Sequence, residues 1–380
     1  MNQSRSRFTG DKTVPALMAA AVLSLIILGA CASTPAREEA ALKAWSLRVF
    51  PEDMVVAVSP VRQTMQIAGS FATVIGAAIT AAQDAETRNR LESALGTLNY
   101  SVVFRKAIAD EMISGSGTER LAVDPPADVR NPQERREAER KRLNALRRQG
   151  IAEIVDISVK YGLYGAEGEL VAVVQAVQTE TRNGRTTFKA KWLIPAEPPN
   201  AFARLGDPTR RMTPNITSPR LAKAPYAVDR WLVSDAQPLR QGLLRLAADT
   251  ARVLAVSVNG KAEPQGWYVL GVNALRHKKY REAHTFLQKA VQAEPQHPDF
   301  ILALAVTLDK LGQRDDAIPI LRLALEQNPE QPRLMVNLAW LLARDRQRAD
   351  EAENLFRQAV ELGAPDYPAV RRAIEKTRNN

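Results

Sequence analysis

Residues Trp267–Phe300, WYVLGVNALRHKKYREAHTFLQKAVQAEPQHPDF, set a pattern that returns 34 residues later. The first unit supplies Trp267, Leu270, Gly271, Ala274, Tyr280, Ala283, Leu287, Ala290 and Pro295. The second supplies Ile301, Leu304, Ala305, Leu308, Ala317, Leu321, Ala324 and Pro329. A third gives Met335, Leu338, Ala339 and Leu342, then Ala352, Phe356 and Ala359, displaced by one residue in the turn. Apolar residues at helical spacing, closed by proline, make each unit a pair of helices joined by a turn. The small residues Gly271, Ala305 and Ala339, with Ala283, Ala317 and Ala352, mark where the paired helices cross, since larger side chains would push them apart. The units are not identical. Arg314 replaces Tyr280, the third unit has no terminal proline in register, and Pro319 is expected in the first turns of its helix, where a missing N–H costs little.

Three consecutive matches resemble the tetratricopeptide repeat family, and Asp366–Arg378 resembles the polar capping helix that such arrays need. The resemblance implies a binding platform in which the first helix of each unit lines a concave groove for a peptide or a partner's helix. Transferred to this chain, the groove positions fall on Tyr268, Val272, Val306 and Trp340. Asn273 lies nearby, although the family's carboxylate-clamp pattern is not matched in full. Arg276, Lys310 and Arg344 occupy one helix position in all three units. Stacked, they form a cationic ladder for an acidic strip or a C-terminal carboxylate. Equally, they are cations complementing helix C-termini.

The preceding stretch reads as an α+β domain with an antiparallel sheet, over residues 51–260. Met54–Val58, closed by Ser59-Pro60, is a short buried strand. Gln66–Ala82 is a helix of small residues, either contacting a membrane or itself or packed tightly in a core. Glu86–Met112 continues as helix, broken around Thr97–Tyr100. Glu134–Arg148 is a charged helix with Leu143 and Leu146 as its large apolar residues. It binds anions or an envelope surface, or is a solvated face. Val155, Ile157, Val159 and Tyr161 alternate with polar residues, Leu170–Thr181 follows, and Asn183-Gly184 is a hairpin signal before Phe188, Ala190, Trp192 and Ile194. Pro195–Ala227 is expected as a surface or disordered loop. Trp231-Leu232 reads as a last short strand, and Leu239, Leu243, Leu246, Thr250 and Leu254 as a helix. In element order this stretch is similar to the periplasmic lipoprotein domains of the curli-secretion and penicillin-binding-protein-activator type.

At the N-terminus a basic head (Arg5, Arg7, Lys12) precedes an apolar body from Val14 to Leu28, the layout of a secretory signal. The body is short for a transmembrane span. Leu28-Gly29-Ala30-Cys31 resembles the lipobox of bacterial lipoprotein precursors, with Cys31 the single cysteine of 380 residues. The resemblance implies residues 1–30 as a signal peptide, lipidation of Cys31, and residues 31–50 as lipidated N-terminus and tether. Residues 261–380 then hold the three repeats and capping helix. Each buried CH₂ contributes about 0.8 kcal/mol, so several acyl chains hold where one does not. In that lipoprotein family a residue such as Ala32, and not an aspartate, after the cysteine favours the outer membrane, which implies a body in the periplasm or, less in keeping, facing outward.

A net charge of +10 permits anionic partners, but export and the lack of a recognition module argue against nucleic acid. With Cys31 lipidated, no thiol remains as ligand or nucleophile. The three histidines (His277, His284, His297) all fall in the repeats. No phosphate-binding loop, dinucleotide fingerprint or H-E-x-x-H occurs, so no cofactor, metal or catalytic residue is assigned. The leading expectation is a non-catalytic, membrane-anchored adaptor that recruits a protein or peptide partner, in envelope assembly or secretion. The competing one is a cell-wall glycan enzyme, for which two carboxylates suffice, or a wall-binding protein. Glu92-Ser93 matches the catalytic dipeptide of lytic transglycosylases but lies in an ordinary charged helix.

Overall fold

The computed structural model describes residues 42–57, 85–96, 99–114, 120–129, 131–165, 168–201 and 224–379. The apolar N-terminal run, Cys31 and the 66–82 stretch lie outside the described residues.

The longest alternating stretch becomes the centre of the sheet. Strand β1 (Leu42–Ala57), β2 (Arg120–Ala122), β3 (Ile151–Tyr164), β4 (Glu169–Glu180) and β5 (Thr186–Pro195) are ordered β2-β1-β3-β4-β5. β3, β4 and β5 form the antiparallel meander that the alternation and Asn183-Gly184 predict. Gly184 takes φ of +69° in the turn, where a side chain would be strained. The expectation of an antiparallel sheet needs correction at the other side, because β1 runs parallel to both β3 and β2. The sheet is mixed, and β1 extends well beyond Met54–Val58.

Helices cover both faces of the sheet. A helix over residues 85–95 (α1) and α2 (Tyr100–Ser114) are broken apart as expected, with Gly96 between them at φ of +68°. Phe104, Ile108 and Met112 repeat every four residues and are fully buried, and Phe104 stacks on Tyr161 of β3 at 4.7 Å between ring centroids. On the opposite face α3 (Pro132–Arg148) is capped by Asn131, whose side chain accepts the Gln133 N–H. Its Leu143 and Leu146 pack on Ala44, Ile151 and Ile154 in a second, smaller core. Arg142 of α3 donates to Asp156 of β3 at 2.6 Å, and Ser46 of β1 donates to the same carboxylate.

Helix α4 (Ala224–Ser257) is interrupted at Val233–Ala236, where Ser234, Asp235 and Ala236 all take positive φ. Trp231-Leu232 is therefore helical, not a strand. Trp231 is buried, its indole N–H donating to the Gly168 carbonyl at 2.8 Å. Pro238 sits just after the break, as a helix start tolerates.

The repeats follow as α5 (Pro264–Arg276), α6 (Tyr280–Ala293), α7 (Pro298–Lys310), α8 (Arg314–Gln327), α9 (Pro332–Leu342) and α10 (Ala349–Glu361), with α11 (Pro368–Arg378) as the cap. The small residues at the crossings are all buried. A side chain at Gly271 would collide with Leu287 of the paired helix. Pro319 falls in the second turn of α8, deeper than expected, and leaves the carbonyl of Asp315 without its i+4 donor. Leu42–Asn380 forms one compact unit, and a single apolar core runs from Trp45 of β1 to Ile374 of α11. The C-terminal third is thus an all-α repeat array, joined to the sheet by a common core.

Gly162 of β3 faces the point where β1 carries extra residues between its Phe50–Lys160 and Val55–Gly162 pairings. A methyl there would meet the Val55 backbone, whereas Gly260, at φ of +68°, has open space around its Cα. Gly162→Ala should cost about 1–3 kcal/mol or more by overpacking, and Gly260→Ala only about 1 kcal/mol of backbone strain. Urea denaturation of the two variants should give that order.

Candidate functional site

The groove face of the array is met by the chain itself. After β5 the backbone continues as Ala196-Glu197-Pro198-Pro199-Asn200-Ala201, in which Ala196, Pro198, Pro199 and Ala201 are buried. Burial leaves main-chain polar atoms that need partners, and the array supplies them. The Leu193 N–H donates to Asn273 Oδ1 at 2.8 Å, and the Ala201 N–H to Asn337 Oδ1 at 2.7 Å. Arg333 donates to the Pro198 carbonyl at 2.9 Å, and Lys310 to the Ala201 carbonyl at 2.7 Å. Asn337 also donates to Asn200 Oδ1 at 3.2 Å. From α4, Arg245 reaches the Ala196 carbonyl at 3.3 Å. Two prolines shorten the list of donors to be satisfied, because neither has an N–H.

This strap replaces the first part of the surface loop expected from Pro195 onward; residues 202–223 lie outside the described residues. Composition misleads here. Pro, Glu and Asn read as loop, yet the segment is held by side chains far along the chain.

Every predicted groove residue has a definite environment. Tyr268, Val272 and Val306 are buried, with Tyr268 stacked on Phe300 at 5.1 Å. Burial drives the Tyr268 hydroxyl well above the usual tyrosine range, with Asp299 and Asp249 adding to the shift. Trp340 is half-buried, with the Arg344 guanidinium over its ring at 5.1 Å. Asn273 accepts from Leu193 of β5, just before the strap.

The three spaced cations face three different acceptors. Arg276 pairs with Glu169 at the start of β4. Lys310 holds Ala201, and Arg344 donates to Asp309 of α7 at 2.6 Å. Burial lowers the Lys310 pKa, partly opposed by Asp309 and reinforced by Arg344. The helix spacing brings these cations to one side of the array, and each finds an acceptor within this chain.

Sequence reasoning missed Asn337, Arg333, Asp309 and Glu169. Asn337 carried a readable signal: it is a lone amide inside Met335-Val336-Asn337-Leu338-Ala339 and is fully buried. A polar side chain kept in such a run needs a partner. The histidines are dispersed. His277 caps α5 through the Asn273 carbonyl at 2.8 Å, His297 stacks on Phe300 at 3.9 Å, and His284 is half-buried on α6. Among the described residues no three His, Cys, Asp or Glu side chains come together to hold a metal ion. No helix among them is long and apolar enough to cross a membrane.

The tetratricopeptide repeat family profile matches residues 274–334 and 311–376. Solved structures with similarity include MamA of MSR-1 (23% identity over 37% of this chain and 85% of that one, TM-score 0.26). MamA of AMB-1 gives 26% identity over 34% and 77%, with TM-score 0.26. TTC0263, a thermophilic TPR protein of Thermus thermophilus, gives 22% over 44% and 84%, with TM-score 0.29. Overlap at so low a TM-score carries no functional information. No curated protein matches the chain. The C-terminal region carries tetratricopeptide repeats, a fold that serves protein–protein interaction.

Asn337→Ala removes the acceptor of a buried N–H, so stability should fall by about 1–3 kcal/mol. Asn354→Ala, on the outer helix α10, serves as the control and should stay near wild type. Thermal denaturation of both variants checks this.

Proposed function

We propose that this chain is a lipid-anchored adaptor at the outer membrane, its body in the periplasm, that recruits protein partners for envelope assembly or secretion. On this reading it performs no catalysis. The observation that carries the adaptor role is the strap itself. The array already holds a segment of its own chain through main-chain amides and carbonyls, with Lys310, Arg333 and Asn337 on the strap and Asn273 on Leu193 just before it. Chemistry of that kind is indifferent to side chains and accepts another extended peptide. The strap is then an internal stand-in for the partner. Being tethered, it competes at high effective concentration, so a partner engages when it displaces the strap.

The anchor rests on the sequence: a basic head, a short apolar body and Leu28-Gly29-Ala30-Cys31, with no other cysteine in the chain. Palmitate labelling of the intact protein should be present and lost in Cys31→Ser; labelling that persists contradicts the anchor.

For the groove, the test is affinity capture from detergent-solubilised envelopes. Pro198→Gly with Pro199→Gly frees the strap and should raise the yield of captured protein severalfold. A synthetic peptide copying Leu193–Ala201, added in excess, should lower it. Capture unmoved by either change places the partner elsewhere on the molecule. Sedimentation with murein sacculi and no captured protein favours the wall-binding reading instead.

A further inference from the structure

A second site lies on the opposite side of the sheet from α2. The first half of α3 and the turn between β4 and β5 enclose an open cavity of about 520 Å³. Its walls carry Arg135, Arg136 and Arg140 from the helix and Arg182 from the turn, against one acid, Glu139, with Leu143 at its base. α3 is held in place by the Arg142–Asp156 pair and the small core around Leu143 and Leu146. The hairpin is fixed in turn: Asn183 accepts the Arg185 N–H at 2.8 Å, and Thr181 donates to the Ile151 carbonyl at 2.5 Å.

The neighbouring cations are neutralised. Lys141 pairs with Glu137 at 2.9 Å, Arg142 with Asp156, and Arg185 with Glu180. Those lining the cavity are not. Among the described residues, the side chains of Arg136, Arg140 and Arg182 make no hydrogen bond or ion pair, and Glu137 and Glu180 influence Arg140 and Arg182 only at longer range. Arg135 keeps its Nε on the Val129 carbonyl at 2.8 Å. Glu139 is partly committed to Arg142 at 3.3 Å. Three unfilled guanidinium forks from two rigid elements thus face one space.

We propose that this cavity binds a phosphate-ester group. Planar guanidinium forks match the oxygens of phosphate bidentately, and Leu143 beneath them suits an ester carbon better than a fully hydrated ion. Soluble phosphate esters and phospholipid headgroups share that chemistry. Several arginines meeting one phosphate also make the binding fall with added salt.

The test uses the full chain carrying Cys31→Ser, so that acyl chains do not themselves bring it to vesicles. One arm is calorimetric titration with glycerol 1-phosphate. The other is co-sedimentation with phosphatidylcholine vesicles, with and without phosphatidylglycerol. Binding is expected in at least one arm; titration by glycerol 1-phosphate assigns a soluble source, and sedimentation that glycerol 1-phosphate does not reverse assigns the headgroup. Arg136→Glu, Arg140→Glu and Arg182→Glu combined should weaken binding at least about tenfold, the loss of one or two charge-assisted hydrogen bonds. Arg147→Glu with Arg148→Glu, on the same helix outside the cavity, should leave it unchanged. Equal losses in the two variants mean general attraction to a basic protein and overturn the site, as does no binding in either arm by a chain whose circular dichroism is intact.

Discussion

A backbone amide taken out of water must find an acceptor, and the whole arrangement of this protein follows from where the Ala201 N–H finds one. Asn337 supplies it from the middle of an apolar helix. An unmet buried donor costs about 1–3 kcal/mol, so in the free chain the strap and the third repeat stay bound to one another. Asn273 repeats the device at Leu193, two repeats earlier, on the last sheet strand. Between these two amides the chain leaves the sheet and runs along the array. The sheet and the repeats therefore share a core instead of hanging from a linker.

The same constraint gives the adaptor reading its content. A groove that grips main-chain atoms does not depend on the sequence of what it holds. The cations spaced at one position per repeat are anchored by Glu169, the Ala201 carbonyl and Asp309. Unpaired guanidinium groups lie instead on α3 and the β4–β5 turn, where Glu139 is the one acid in the lining. Cations are paired inside the array and left unpaired on the far side of the sheet, which is the contrast that the two proposals rest on.

Much of this was legible in the sequence. A fixed spacing exposes the repeats, because helix crossings admit only small residues and Gly271, Ala305 and Ala339 recur in register. Alternation exposes β3, and Asn183-Gly184 exposes the hairpin that joins β4 to β5. The parallel pairing of β1 was not legible, since a strand buried on both faces does not name its neighbour. Trp231-Leu232 misled because two apolar residues before a polar break look alike in a strand or a helix end. The strap was hidden for a different reason: its prolines mark a loop, while its partners Arg333 and Asn337 lie more than a hundred residues away. At the candidate site, the lone Asn337 in an apolar run was the overlooked sign of the contact between strap and array. The basic character of α3 was plain, but the arginine facing it from the hairpin depends on a turn that only the fold brings near.

Amide hydrogen exchange on the intact chain, resolved to single residues, tests the central claim most directly. If the array holds its own strap, the Leu193 and Ala201 amides of the free chain are protected and exchange far more slowly than those of an exposed loop. Exchange at both amides as fast as in an exposed loop would contradict it, for the groove would then be empty and the sheet joined to the repeats by a free connection.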